Sequence, residues 1–131
     1  MDRRFNIAVG KLLKNKMDEK FYVSLEVARL LKEKGYNEKC TFAYTDISNG
    51  SDINGRIVFN SNDYPVGIYP CPTKAEAMDW LEGKGWQFSI ICADYNLYEF
   101  IVYFENEHIS GYRETMLEAQ DAAIITVLEK L

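Results

Sequence analysis

Residues 86–104 constrain the fold of this chain more than any other part of its sequence. They read WQFSIICADYNLYEFIVYF, in which apolar and aromatic residues alternate with less apolar ones. Such alternation is typical of strands that are covered on one face. A short break at Asp94, Tyr95 and Asn96 divides the stretch into two strands and predicts an antiparallel hairpin. The predicted covered face carries Trp86, Phe88, Ile90, Cys92, Tyr98, Phe100, Val102 and Phe104.

An apolar sheet face of this size needs a cover, and three helical segments can provide one. Ser24 and Gly35 mark the two ends of an apolar helical stripe. Thr73 and Thr115 each precede another helical segment. A glutamate lies three positions after each threonine, which is the sequence pattern of a capping box. The sequence therefore predicts helices over residues 24–34, 73–83 and 115–130.

The remaining regular segments predict further strands. Residues 40–44 and 56–59 flank a polar loop, residues 64–69 form a short extended segment that ends at prolines, and residues 108–112 follow the hairpin. Helices that fall between and after hairpins indicate an α+β fold. We expect an antiparallel sheet of about five strands, arranged as a hairpin plus a meander, with three helices packed mainly on one face.

Residues 1–20 are predicted to form a basic amphipathic helical arm, attached to a single α+β domain of residues 21–131. Apolar residues recur in the arm at helical spacing, with Lys11 and Lys14 between them. The arm is a candidate partner-binding or dimerising element. Met17 is a second candidate start of the natural chain, because the stronger folding signals begin just after it.

Charge is distributed unevenly along the chain. Residues 1–39 hold 10 of the 15 Lys and Arg but 6 of the 20 Asp and Glu, a net charge of +4, while residues 40–131 hold the other 5 and 14, a net charge of −9. The acidic body argues against nucleic acid as a partner of the main surface, because lysine and arginine supply most of that affinity. The basic front could contact DNA, an anionic surface or an acidic partner. The preferred interpretation is that its lysines form the solvent-facing sides of two helices; they are Lys11, Lys14, Lys16, Lys32 and Lys34.

The cysteines favour a reducing compartment. Cys40, Cys71 and Cys92 form no CxxC pair, and their odd number does not indicate a disulfide framework. We therefore expect a cytoplasmic protein. Nothing at the start resembles a secretory signal, and no apolar run reaches the length of a membrane span, so no membrane partner is predicted.

Residues that carry chemistry are few. His108 is the only histidine. Cys71 stands between two prolines, and we expect its thiol to be exposed, but it has no basic neighbour in the sequence that would activate it. The polar loop 46–55 contains two Asn-Gly pairs, which are typical of a hairpin. A calcium loop would need glycine and a bidentate glutamate where the chain has Ser51 and Ile57. We predict no cofactor, no metal and no enzymatic activity.

Four segments together resemble a known group of sequences. They are YVSLEVARLLKEKGYNE at residues 22–38, YPCPTKAEAMDWLEGKG at 69–85, the aromatic hairpin, and YRETMLEAQDAAIITVLEKL at 112–131. The shared features are a VSLE-type helix start, a P-x-x-T or A-P-T helix opening, a D-W-L motif and an E-A-x-x-A-A final helix. Over residues 22–131 the chain resembles a family of small uncharacterised proteins encoded in phages and prophages of anaerobic gut bacteria. The resemblance implies a phage accessory role and brings no assigned activity or site.

The tyrosine content predicts an interaction surface, because nine tyrosines are too many to be all core. Its candidate residues are Tyr95, Tyr98 and Tyr103 of the hairpin, with Lys11 and Lys14 of the arm. The leading hypothesis is a non-enzymatic protein–protein interaction module that binds an unknown protein, or a second copy of itself through the arm. Two alternatives stay open: an acidic inhibitor that mimics nucleic acid and blocks a host nucleic-acid enzyme, and a small metal-binding protein or enzyme.

Overall fold

The structure, a computed structural model, describes residues 19–45 and 56–131, which contain three α-helices and two three-stranded antiparallel sheets. A short 3₁₀ turn, Glu19–Phe21, precedes the first helix. The helices are α1 (Leu25–Glu33), α2 (Lys74–Glu82) and α3 (Met116–Lys130). The strands are β1 (Cys40–Thr45), β2 (Arg56–Ser61), β3 (Ile68–Pro70), β4 (Gln87–Asp94), β5 (Leu97–Phe104) and β6 (Glu107–Arg113).

The α+β class and the three helices are confirmed, but the prediction of one sheet of about five strands is wrong. The first sheet has the order β2-β1-β3 and the second has the order β4-β5-β6. In the described residues no ladder joins them. The physical reason lies after β3, which ends at Pro70; Pro70 and Pro72 have no N–H to donate, so pairing stops there and the chain enters α2. Most of the predicted helical arm, residues 1–18, and the loop 46–55 lie outside the described residues.

Hydrogen bonds at the helix starts follow the predicted capping patterns. At α2, Glu76 N–H donates to Thr73 Oγ1 over 3.1 Å and Thr73 N–H donates to Glu76 Oε1 over 2.8 Å, which completes a capping box. At α3, Glu118 N–H donates to Thr115 Oγ1 over 3.1 Å, and the Thr115 hydroxyl donates to Glu118 Oε1 over 2.9 Å. At the start of α3, therefore, the Thr115 hydroxyl caps a backbone N–H, and the Glu118 carboxylate accepts a hydrogen bond from that hydroxyl.

The aromatic hairpin and its meander are present in the second sheet. Strands β4 and β5 are joined through Tyr95 and Asn96, and Asn96 adopts a positive φ of 53°. Strands β5 and β6 are joined through Glu105 and Asn106, and Glu105 adopts a φ of 57°. Left-handed residues at these positions allow the tight turns that keep the three strands in one continuous sheet.

Helix α3 covers one face of the second sheet and holds the two halves of the chain together. It contacts β4, β5 and β6, and it also contacts α1 and α2. Below it, Phe100 and Val102 of β5 are buried. The small side chains on its inner face let the helix approach the sheet closely. Its buried residues are Ala119, Ala122, Ala123, Ile124, Val127 and Leu128.

Lys32 and Lys34 are half-buried at the end of the first helix, and both make hydrogen bonds to distant segments. The Lys32 ammonium donates to the Pro65 carbonyl over 2.6 Å and to the Ile68 carbonyl over 3.0 Å, which ties α1 to the start of β3. The Lys34 ammonium donates to the Leu131 carbonyl over 2.8 Å at the end of α3. Both lysines therefore join segments that are distant in sequence.

Candidate interaction surface

The second sheet has one face under α3 and one face that no described element covers. Phe100 and Val102 point into the core, and successive side chains of a strand point to opposite faces, so Ile101 and Tyr103 lie on the other side. The register places Glu99 between partners on β4 and β6 on that same side. We call this side the open face; its residues are Gln87, Ser89, Ile91, Glu99, Ile101, Tyr103, His108, Ser110 and Tyr112.

Large apolar side chains are exposed on the open face. Ile91 is 47% exposed, Tyr103 37% and Tyr112 52%. Ile91, Glu99 and Tyr112 form one row across the three strands, since Glu99 is the direct partner of both others. Side chains paired in this way have Cβ atoms about 5 Å apart, so the row forms a continuous patch. The arrangement offers an apolar surface with one central carboxylate.

The residues that the sequence predicts for the interaction surface are not all brought together. Tyr103 lies on the open face, and Tyr95 is 88% exposed at the tip of the β4–β5 hairpin. Tyr98 packs against the hydrophobic core on the opposite face. Lys11 and Lys14 lie outside the described residues. Tyr98 and Tyr103 are five positions apart along one strand, which puts them on opposite faces.

Sequence reasoning missed Ile91 and Tyr112 as surface residues. Ile91 belongs to the polar positions of the alternating stretch, because the predicted covered face takes every second residue from Phe88 to Cys92, whereas Tyr112 lies on the later segment 108–112, for which no covered face was predicted. An apolar residue at such a position was the available signal. This signal identifies a surface patch only when the strand register is known, and the sequence does not provide the register.

A depression of about 420 Å³ adjoins the open face near the start of α3. Arg113 is engaged there, because its guanidinium donates to the Tyr112 carbonyl over 2.7 Å and lies 5.5 Å from the centre of the Phe100 ring. The carboxylates of Glu114 and Glu118 also line the depression. These two carboxylates outnumber the single guanidinium of Arg113, so the depression favours a basic side chain as occupant. Among the described residues, those that line it are Leu97, Tyr112, Arg113, Glu114 and Glu118.

A second depression, of about 300 Å³, lies between α2 and the start of β1. Its aromatic wall is formed by Tyr36 and Trp80, whose ring centres are 5.1 Å apart. The Lys84 ammonium lies 4.4 Å from the centre of a Trp80 ring, so one of the chain's own cations already occupies a face of the indole. The other lining residues are Glu38, Lys39, Glu76 and Asp79.

A cluster of neutral polar groups lies behind this second depression. The Cys40 thiol is 3.8 Å from the Tyr36 hydroxyl, and the Tyr64 hydroxyl donates to the Glu38 carbonyl over 2.7 Å. Burial raises the pKa of both phenols, and the neighbouring Cys40 raises each further. Burial also raises the pKa of the Cys40 thiol, more than its hydrogen bonds with the two tyrosines lower it. A thiol held neutral in this way is a structural group rather than a nucleophile.

The other candidates for chemistry stand apart from one another. The expectation that Cys71 is exposed between its prolines is wrong, because the side chain is 1% exposed. Cys92 is exposed at the end of β4, and His108 is exposed on β6 with its ring centre 6.2 Å from that of Tyr103. In residues 19–45 and 56–131, no three His, Cys, Asp or Glu side chains come together as a metal site. This part of the chain also contains no helix long and apolar enough to cross a membrane.

A half-buried carboxylate lies where the three helices meet. Within the described part of the chain, Asp121 Oδ1 is buried without a hydrogen-bond partner. Burial raises the pKa of Asp121; the Lys74 ammonium opposes this shift, and Glu26 adds to it. The Lys74 ammonium donates to the Leu117 carbonyl over 3.2 Å. The charged form of Asp121 is therefore less favourable in the fold than in the unfolded chain.

We predict that Asp121→Asn stabilises the protein at neutral pH by about 1 kcal/mol, since an amide avoids the cost of burying a charged carboxylate, which the Lys74 ammonium offsets only in part. The pKa of Asp121 is higher in the folded protein than its ordinary value of 3.8. The protonated form of Asp121 therefore contributes its full stabilisation below pH 3.8, and this contribution is lost as the pH rises through the pKa of the folded state. The advantage of the variant should therefore shrink between neutral pH and about pH 4. Urea unfolding at both pH values measures it, with the exposed Glu129→Gln as control. A variant that is less stable than wild type at neutral pH would contradict the assignment.

The structure thus defines an α+β protein with two antiparallel sheets, one of which has an open, partly apolar face bordered by carboxylates. Comparisons of the chain with protein-family models, with curated proteins and with solved structures found no match.

Proposed function

We propose that this chain is a non-enzymatic interaction module that binds a protein partner through the open face of its second sheet. The observation that carries the proposal is the exposure of Ile91, Tyr103 and Tyr112 on the face opposite α3. Tyrosine and isoleucine side chains exposed together on a rigid sheet are typical of binding surfaces. Strand pairing holds the backbone of each, so little backbone entropy is lost when a partner docks.

The charges around the open face indicate the chemistry of the partner. Glu99 lies in the central row, and Glu114 and Glu118 line the adjoining depression. A matching partner presents an apolar segment with lysine or arginine side chains that reach these carboxylates. The apolar contact provides most of the affinity, and the charges set the orientation.

The resemblance to phage and prophage proteins suggests where such a module works. We propose a phage accessory protein that acts in the cytoplasm of its bacterial host, where a reducing environment suits its cysteines. The partner is then a host or phage protein. The resemblance brings no assigned activity, so the open face alone supports the interaction role.

The alternative of an acidic nucleic-acid mimic has weaker support. Such a mimic requires carboxylates along one surface, at the spacing of phosphates. The carboxylates that line the two depressions form separate groups, one with Glu38, Glu76 and Asp79 and one with Glu114 and Glu118. Basic residues interrupt both groups, Lys39 in the first and Arg113 in the second. The alternative of a metal protein or enzyme is favoured by no specific observation.

The proposal is tested with the double variant Tyr103→Ser/Tyr112→Ser. We expect it to lose affinity for the partner by roughly 30-fold or more, because aromatic side chains at the centre of an interface carry much of the binding free energy. Immobilised wild type captures partners from a lysate of the bacterial host, and each captured protein is then purified and its dissociation constant measured with both forms.

The matched control is Val58→Ser/Val66→Ser, which removes two hydrophobic side chains that are 61% and 91% exposed outside the second sheet. Both double variants must unfold at temperatures close to wild type. A partner that binds wild type and the control but not the tyrosine variant supports the proposal. A partner that binds all three equally, or a lysate that yields no specific partner, contradicts it.

A further inference from the structure

The two sheets together have four edge strands, and three of them carry features that block pairing with another chain. Strand β2 begins at Arg56 and contains Asn60 with a positive φ of 44°. Strand β3 is three residues long and ends in Pro70. Strand β6 carries Glu107 and Arg113 at its ends. Short length, proline, charge and irregular backbone are the usual means by which proteins protect sheet edges.

The fourth edge, β4, has none of this protection from Gln87 to Cys92, and its register with β5 shifts only between Cys92 and Asp94. It is eight residues long and reads QFSIICAD, without proline or glycine and without charge before Asp94. Within the described part of the chain, its backbone pairs with β5 alone. Its second half is exposed from Ile91 onward. A long, uncharged and apolar edge of this kind is a template for another strand.

We propose that β4 pairs antiparallel with β4 of a second copy of this chain, which joins the two second sheets into one six-stranded sheet. The sequence of the strand favours itself as the partner. A two-fold axis at Ile90 pairs the uncharged, regular segment 88–92 with itself, so that Phe88 lies opposite Cys92 and Ser89 opposite Ile91 of the other copy.

Charge restricts where two copies can meet, and this edge is one such place. Residues 40–131 have a net charge of −9, so the acidic bodies of two copies repel each other across most of their surface. Residues 87–93 are an uncharged section where two copies can approach without opposing carboxylates, and Asp94 lies beyond it at each end of the paired segment. The two open faces would then lie side by side on one sheet.

The experiment compares Ile91→Lys with Val58→Lys in the full chain. Both positions are exposed on edge strands, at 47% and 61%, so both variants should fold. We expect wild type and Val58→Lys to form the same dimer by light scattering. Ile91→Lys should weaken the dimer by at least about tenfold, because the two-fold axis introduces the charge twice into one interface.

Hydrogen exchange provides a second measurement on the wild-type chain. Amides of β4 should become more protected as the protein concentration rises, whereas those of β2 should not. A chain that stays monomeric at all concentrations, or a dimer that Ile91→Lys leaves intact, would overturn the proposal. So would a dimer that is lost only in Lys11→Ala/Lys14→Ala, which would assign assembly to the basic arm. Because no partner protein is present, these outcomes are independent of the proposed function, and Tyr103→Ser/Tyr112→Ser should still dimerise.

Discussion

Gly111→Ala is expected to destabilise the protein by about 3 kcal/mol and to lower its melting temperature by roughly 10 °C. Gly111 is the cross-strand partner of Phe100, and the ring of Phe100 lies over it. A Cβ at position 111 would be 2.6 Å from Cζ and 2.7 Å from Cε1 of that ring. The ring cannot move away easily, because Phe100 is 4% exposed and packed beneath α3. Thermal unfolding followed by circular dichroism measures the effect.

Gly35→Ala separates this clash from the general cost of replacing a glycine. Gly35 has a φ of 92°, but a Cβ there meets no atom within 4 Å. We expect Gly35→Ala to cost about 1 kcal/mol, from backbone strain alone. The clash also predicts that Phe100→Leu costs less in the Gly111→Ala background than in wild type. If Gly111→Ala is no more destabilising than Gly35→Ala, the close packing of Phe100 on Gly111 is not a determinant of stability.

Ile124→Ala should cost about 3 kcal/mol, because it leaves a cavity at the centre of α3. Ile124 is fully buried, and its helix contacts the second sheet as well as α1 and α2. Since α3 joins both halves of the chain, we expect urea unfolding to remain a single transition that shifts as a whole. The measurement is urea unfolding monitored by circular dichroism and by tryptophan fluorescence.

Ile125→Ala is the matched control for this substitution. It changes the same residue type at the next position of the same helix, but Ile125 is only partly buried against the core. We expect a cost of about 1 kcal/mol, because less apolar area is lost and no enclosed cavity forms. An equal loss of unfolding free energy in the two variants would show that the deeper burial of Ile124 does not contribute to stability. Two separate transitions would show that the halves fold independently.

Interactions between near neighbours in the chain were predictable. The caps at Thr73 and Thr115 link residues three apart, and the hairpin turn at Asn96 involves consecutive residues. The alternation of β5 also predicted that Phe100 and Val102 share the covered face. Such features depend on backbone geometry within one element, so the local sequence contains the information.

Contacts between distant segments were not predictable. The sequence did not indicate the hydrogen-bond partners of Lys32 and Lys34. The Lys32 ammonium donates to the carbonyls of Pro65 and Ile68, and the Lys34 ammonium donates to the carbonyl of Leu131. Cys71 resembled an exposed thiol, yet it is buried. In each case the partner is far away in sequence, and its position follows from how the helices and sheets pack.

The candidate site illustrates the same division. The sequence by itself determined an α+β chain with three capped helices, an aromatic hairpin and alternating faces that place Tyr98 and Tyr103 on opposite sides. Only the tertiary structure decided that the strands form two sheets, that α3 covers the side of Tyr98, and that Ile91 and Tyr112 join Tyr103 on the open face. The physical reason is that alternation is a property of one strand, whereas register, strand order and the side that a helix covers depend on packing between segments far apart in the chain.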